Sequence, residues 1–471
     1  MLSSLSVLLP GRGAAARFAA TALVSVLAAA GVAAGAAPAA AQGETRGEGG
    51  AAATIGGLKT YGAAVIHMAG GDQEVSAGLF EMSVDGGGML QTYCVDIQNP
   101  TQKDAKYHET PWSGTSLGTN KDAGRIRWIL QNSYPQVNDL AALAKKAGVR
   151  GGLTEQDAAA GTQVAIWRYS DDTDVEAVDP QAERLADYLE KHARNLTEPA
   201  ASLTLDPPAV SGHPGERLGP VTVHTNADSA TVVPPADATT DGVRFVDKDG
   251  RPVTSVTDGA QIFFDVPRDT AAGTAGLTVQ ASTTVPVGRA FASESRSQTQ
   301  ILAGSSESTV SATASATWAD QGAIPALSGA ENCAEGGLDI TAVNKGDVAF
   351  TFEVLDSEYI IAAGETRTVT IPLPEDRAYD FAVRGSDGFE QRFTGVLDCR
   401  TQSSPAGQDT RTLGEPAPAA VVDPTPSHDA DLAETGSSDA TPLIGGAAIG
   451  LVVIGGAVLL LVRGKNEHGG A

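Results

Sequence analysis

Cysteine, histidine and aromatic side chains are scarce here: three cysteines and seven histidines occur in 471 residues, and Phe, Trp and Tyr make up 5%. The histidines are scattered and no Cys/His spacing fits a metal site, so no metal and no cofactor are expected. Basic residues are also in deficit, 32 Lys and Arg against 57 Asp and Glu, a formal charge of −25. That balance argues against nucleic-acid binding and serves solubility. Apolar runs long enough to cross a bilayer occur only at the two ends.

What is present begins with those ends. Arg12 and Arg17 precede an apolar run over 19–37, and Ala39-Ala40-Ala41 offers small residues for cleavage before Gln42. Residues 1–41 therefore read as a signal peptide, and the chain as secreted. At the other end, Leu432-Ala433-Glu434-Thr435-Gly436 is followed by a polar spacer, an apolar stretch over 442–462, and Arg463 and Lys465. Roughly 20 apolar residues cross a bilayer once, and the basic flank keeps the tail (463–471) cytoplasmic. This order resembles the sortase signal of wall-anchored Gram-positive proteins, with Ala433 in place of the usual proline, as in the Leu-Ala-X-Thr-Gly variant of high-GC actinobacteria. The resemblance implies cleavage after Thr435 and transfer to peptidoglycan. The membrane would then hold only the precursor.

The three cysteines lie in the secreted portion, so one cannot pair internally. Cys333 and Cys399 bracket a strand-rich segment and are natural disulfide partners outside the cell. A loop of that size stabilises by ~4 kcal/mol in the chain-entropy model. Cys94 is left over.

The stretch 58–97 is patterned as strands, with Asp85-Gly86-Gly87-Gly88 as a hairpin turn. Period two puts Leu90, Thr92, Cys94 and Asp96 on one face of the strand after that turn. Helices are expected over 122–131 and 138–143, from Thr154 onward, and over 180–195. Thr154 with Asp157 forms a capping-box-like start. The face of that helix carries Ala159, Ala160, Gln163, Ile166 and Trp167. A buried amide needs a partner, since leaving it unpaired costs ~1–3 kcal/mol. Gln163 is thus either a structural glutamine bonded to a nearby strand or a group put to use.

Tyr93-Cys94-Val95-Asp96 followed by Thr162-Gln163-Val164-Ala165-Ile166-Trp167 resembles the thioester domains of Gram-positive surface adhesins, over about 55–198. The resemblance implies an internal thioester in which the Cys94 sulfur is acylated by the Gln163 carbonyl with loss of ammonia. Asp96, on Cys94's own face, is the candidate proton shuttle; its other reading is a turn carboxylate. Tyr93, Trp167 and Tyr169 could shield the bond from water, or simply pack in the core. A lysine amine on a partner surface would attack the thioester, expel the thiol and become amide-linked to Gln163. Such a protein is a covalent adhesin rather than an enzyme, and its target is not legible.

Past Ala201 short β segments recur, so 201–305 reads as a β-sandwich spacer. Its only lysine, Lys248, sits in a turn, which disfavours an internal lysine isopeptide. Residues 306–330 are Ser/Thr/Ala-rich and read as a linker, although Trp318 suggests packing. An immunoglobulin-like sandwich tied by Cys333 and Cys399 is expected over 331–400, then an extended Pro/Ala/Ser stalk over 401–431. The fold class is multidomain: an α+β thioester domain, two all-β sandwiches, a stalk and one C-terminal transmembrane helix. Two other readings remain. A cysteine peptidase or transglutaminase would pair Cys94 with His108 or His192, though such nucleophiles usually start a helix. A non-covalent wall protein would carry a lapsed Cys94–Gln163 site.

Overall fold

The computed structural model describes residues 49–233, 242–385 and 389–400. The expected signal peptide, stalk, Leu432-Ala433-Glu434-Thr435-Gly436 motif, membrane segment and tail lie outside the described residues. Among those described, no helix is long and apolar enough to cross a membrane.

The chain opens with β1 (Ala52–Ile66) and β2 (Gln73–Val84), paired antiparallel along their length, then β3 (Met89–Cys94). Gly86, Gly87 and Gly88 in the β2–β3 turn all take positive φ, a conformation glycine adopts without a Cβ penalty. After β4 (Lys106–Thr110) come α1 (Ala123–Asn132), α2 (Leu140–Ala147) and α3 (Glu155–Ser170), then β5 (Val175–Ala177) and α4 (Pro180–His192). The helix ends follow local chemistry. Thr154 and Asp157 form the full capping box of α3, Pro180 stands in the first turn of α4, and Gly148 stops α2 in the left-handed region. The cap of α2 is Asp139, one residue after the expected start.

The chain then runs through β6 (Leu203–Asp206), β7 (Ala209–Gly212), β8 (Arg217–Thr225), β9 (Ala230–Val233), β10 (Arg244–Val246), β11 (Ser255–Val256), β12 (Gln261–Asp265) and β13 (Gly273–Thr284). Next come β14 (Ala290–Ser293), β15 (Gln300–Ser305) and β16 (Glu307–Trp318). Two sheets, β10-β12-β8-β6 and β11-β9-β13-β16-β7, share one core that includes Val223, Ile262, Phe264, Val279 and Ala312. β13 and β16 pair continuously from Gly273↔Trp318 to Thr284↔Glu307.

The hairpin β14–β15, between those two long strands, leaves the sandwich. It enters the first sheet between β3 and β4, giving the order β2-β3-β15-β14-β4-β1-β5. The segment 201–305 is therefore not self-contained, because 290–305 complete the N-terminal sheet. Nor are residues 306–330 a linker, since they hold β16 and the start of the next module. Their Ser/Thr/Ala composition hides a strand whose buried positions are Ser308, Val310, Ala312, Ala314, Ala316 and Trp318, alternating as a half-buried strand must.

Both faces of the first sheet are covered. Leu79 and Tyr93 pack with Val164 and Ile166 on the helical side. On the other side Ile55, Met82, Leu90 and Phe291 join the sandwich core directly. Arg289 fixes the inserted hairpin: its Nε donates to Glu109 Oε1 at 2.9 Å and its Nη1 to Glu198 Oε1 at 2.6 Å. The Ser202 backbone N–H also donates to Glu109 Oε1, at 2.9 Å, so this buried carboxylate joins three segments.

The last module comprises β17 (Pro325–Asn332), β18 (Gly337–Asn344), β19 (Phe350–Val354), β20 (Ser357–Ile361), β21 (Thr366–Pro372), β22 (Ala378–Gly385) and β23 (Glu390–Val396). Sheets β17-β18-β21 and β20-β19-β22-β23 enclose Ile340, Phe350, Phe352 and Phe393. The Cys333–Cys399 disulfide joins the end of the first strand to the residues just past the last.

Removing one partner of a buried ion pair strands the other charge. Arg289→Ala should lower unfolding free energy in urea by about 3–5 kcal/mol, whereas the Glu109→Gln/Arg289→Met pair should recover part of the loss.

Candidate functional site

Every residue of α3 from Ala158 to Trp167 is buried, so this helix is enclosed rather than amphipathic. Small residues make that possible. A Cβ at Gly161 would stand 2.4 Å from the Ala182 carbonyl oxygen of α4, and one at Gly62 of β1 would stand 3.1 Å from the Ala160 Cβ. The close approach carries Gln163 to the end of β3.

There the Gln163 Oε1 accepts a hydrogen bond from the Cys94 N–H at 3.0 Å, and its Nε2 donates to the Cys94 carbonyl oxygen at 2.9 Å. Both ends of the amide are thus held by the main chain of one residue, and Gln163 is fully buried. Cys94 is the chain's one free cysteine and only 2% exposed. Its Sγ accepts from Gln300 Nε2 at 3.2 Å and lies 3.8 Å from Thr101 Oγ1. Gln300 belongs to the inserted hairpin, opposite Cys94 in the β15–β3 register, and its Oε1 accepts from Thr92 Oγ1. Burial pushes the Cys94 thiol up to about 12; the Gln300 and Thr101 contacts oppose the shift, and Asp96 and Asp171 add to it. Such a thiol does not ionise unaided at neutral pH.

Asp96 is not on the strand face assigned by alternation, because β3 ends at Cys94 and the chain turns. Its Oδ1 accepts from the Gln98 and Asn99 N–H groups, an Asx-type turn. Burial, then the charges of Asp171 and Asp398, push its carboxyl up to about 8. A carboxyl in that range can both hold and release a proton at neutral pH.

The aromatic residues divide. Tyr93 is buried on the helical side with its hydroxyl donating to the Tyr134 carbonyl, and Trp167 is buried in the same cluster. Tyr169 is half-buried, donates to the Glu190 carbonyl and stacks under the Arg125 guanidinium. It lines a groove of about 650 Å³ whose walls include Asn120, Asp171, Asp172, Cys399 and Arg400. Neither histidine of the peptidase reading fits. His108 is on β4, separated from β3 by β15 and β14, and the His192 ring packs on Tyr188.

Residues not anticipated from sequence are Gln300, Thr101, Asp171 and Asp398. Asp171 ends α3, four residues past Trp167, and accepts from the Ile97 N–H. Asp398, from the last module, accepts from Thr299 Oγ1 at 2.8 Å. Asp398, Glu375 and Asp376 bring carboxylate oxygens within 4.8 Å of one another, and nothing else among the described residues marks a metal site there.

A family model described as "Thioester domain" matches residues 91–201, a span containing both Cys94 and Gln163. That match supports a thioester-domain protein. A second model, "Bacterial phospholipase C, C-terminal domain", matches residues 311–396. No curated protein matches the chain. Among solved structures, the Bacillus anthracis TIE protein is 16% identical with a TM-score of 0.27, over 73% of this chain and 63% of that one. The chain thus spans less than two thirds of that protein's length. The thioester domain of the Enterococcus faecium TIE86 protein is 17% identical with a TM-score of 0.27, over 57% of this chain and 97% of that one. The E. coli chaperone DraB is 14% identical with a TM-score of 0.15, over 42% and 98%.

The buried acids have a signed consequence. Asp96 is raised to about 8 and Asp171 to about 7, both chiefly by burial, so the folded state binds more protons than the unfolded chain. Their contribution to stability therefore falls as pH rises from about 4 through 8. Relative to the parent, Asp96→Asn/Asp171→Asn should gain melting temperature steadily between pH 5 and 8, by a few degrees in all. A constant difference would contradict these assignments.

Proposed function

We propose that Cys94 and Gln163 condense to an internal thioester and that the protein is a covalent surface adhesin. The observation that carries this reading is the paired hydrogen bond of the Gln163 amide to the main chain of Cys94, beside the one unpaired thiol. In bond formation Sγ attacks the Gln163 Cδ. The developing negative charge on Oε1 is met by the Cys94 N–H that already donates to it. The thiol proton passes through Asp96 to the departing nitrogen, and ammonia leaves. An amide is a poor acyl donor, and fixed proximity in a dry site compensates for that. In use, a partner amine adds to the same carbon. An amide forms, the carbon–sulfur bond breaks, and Cys94 regains its proton.

The Leu432–Gly436 pentapeptide with its following apolar stretch supports sorting to the wall, with sortase and peptidoglycan as partners. The mature protein would then be secreted and wall-attached. A non-covalent wall protein would pair the same buried amide, so the hydrogen bonds alone do not separate the two readings; what favours the crosslink is that the amide is paired to the residue that carries the free thiol.

Intact mass tests the reading. The secreted ectodomain should be lighter by one ammonia, and Cys94→Ala and Gln163→Ala should each abolish the deficit. Full mass in the parent, with a freely titrating thiol, would refute the crosslink. Methylamine should add at Gln163 and liberate one thiol. Gln300→Leu removes the donor to Sγ and should slow recovery of the deficit after refolding.

A further inference from the structure

The Cys94 sulfur has neighbours that the crosslink itself does not require. Gln300 Nε2 donates to it at 3.2 Å, and Thr101 Oγ1 stands 3.8 Å away. The direction of that second contact follows from the bonds already made to the hydroxyl. Thr101 Oγ1 receives Gln298 Nε2 at 2.7 Å and Gln300 Nε2 at 3.4 Å. A hydroxyl has two lone pairs and one proton, so with both lone pairs taken it is the proton that faces the sulfur. Sγ therefore meets two donors, an amide and a hydroxyl.

Both donors are held from behind. Thr92 Oγ1 donates to Gln300 Oε1 at 2.9 Å, which turns the Nε2 end of that amide toward Sγ. Gln298 is fixed through its main chain, whose carbonyl accepts from the Tyr107 hydroxyl at 2.9 Å. The loop that carries Thr101 is pinned to the turn of the inserted hairpin. There the Gln102 N–H donates to Ser297 Oγ at 2.8 Å and its Nε2 to the Arg296 carbonyl at 2.9 Å. Thr92, Gln298 and Gln300 are all buried. Donors set in place beforehand need no rearrangement when charge appears.

The charge in question is on sulfur. A thioester or thiol sulfur is a weak acceptor, whereas a thiolate takes charge-assisted hydrogen bonds. Contacts to Sγ thus strengthen as the carbon–sulfur bond breaks, and an interaction that strengthens toward the transition state accelerates the step. Burial disfavours the anion here, and the Gln300 and Thr101 contacts are what oppose it.

We propose that Gln300 Nε2 and the Thr101 hydroxyl form a leaving-group site that stabilises the Cys94 thiolate, with Thr92 and Gln298 as positioning residues. The proposal rests on the thioester reading. A neutral partner amine adds to the Gln163 carbon, the carbon–sulfur bond breaks with its electron pair on Sγ, and the proton that the nitrogen loses ends on Sγ. Crosslink formation is the attack of ammonia run backwards. It passes through the same sulfur anion, so the site speeds both directions.

The full ectodomain tests this, with methylamine and hydroxylamine as nucleophiles and thiol release as the readout. Thr101→Val should slow release about tenfold, and Thr101→Ser should restore it. The factor should be the same for both nucleophiles, because the fault lies at the departing sulfur. Gln298→Met should slow the parent but add nothing to Thr101→Val, since it acts only through that hydroxyl. An unchanged rate in Thr101→Val, an equal loss in Thr101→Ser, or a defect confined to one nucleophile would overturn the site. Equal slowing by Gln298→Met in both backgrounds would overturn the relay through Thr101. If Thr101→Val folds without the ammonia deficit, Thr101→Ser should show it; absence from both would also overturn the site. Full mass in the parent would instead refute the thioester, and the leaving-group role with it.

Discussion

The paired hydrogen bond between the Gln163 amide and the main chain of Cys94 constrains everything built around it. A side-chain amide can reach both the N–H and the carbonyl of one residue only where that residue's strand has stopped pairing on that side. Pairing of β3 with β2 stops at Thr92, while on the β15 side it runs on through Cys94 to the Val95 N–H, and α3 must come close enough for a four-atom side chain to reach Cys94. Ala160 and Gly161 permit that approach, and Thr162 is anchored to the Ala158 carbonyl and the Ser133 hydroxyl. The placement of the Gln163 amide against the Cys94 main chain is therefore imposed from three sides.

The same pair also depends on residues far along the chain. Gln300 touches the sulfur only because β14–β15 leaves the sandwich and enters the first sheet. The Arg289–Glu109 pair holds that insertion, and one face of the sheet merges with the sandwich core. The modules are consequently not beads on a string. The surroundings of the Cys94–Gln163 pair come from the first module and the inserted hairpin, and the end of the disulfide-tied module reaches that hairpin through the Asp398–Thr299 hydrogen bond.

Much of the local structure was legible. Strands, helix starts and the β2–β3 turn came from alternation, capping residues and glycines, and the disulfide from cysteine count and compartment. Cys94 and Gln163 were found from short motifs, and they do lie together. Asp96 was placed on a strand face because alternation was carried past the last paired residue. Residues 306–330 were read as linker because alanine at the inward positions leaves no hydrophobic signal. Gln300, Thr101, Asp171 and Asp398 had no motif at all.

The division follows from the range of the forces involved. Capping, turn conformation and periodicity are set by neighbours within a few residues, so the order of amino acids determined the elements, the paired cysteines and the identity of the two motif side chains. Sheet order and burial are decided by contacts hundreds of residues apart. Only the folded structure could decide that 290–305 would lie beside Cys94 and that the last module would reach that hairpin through Asp398.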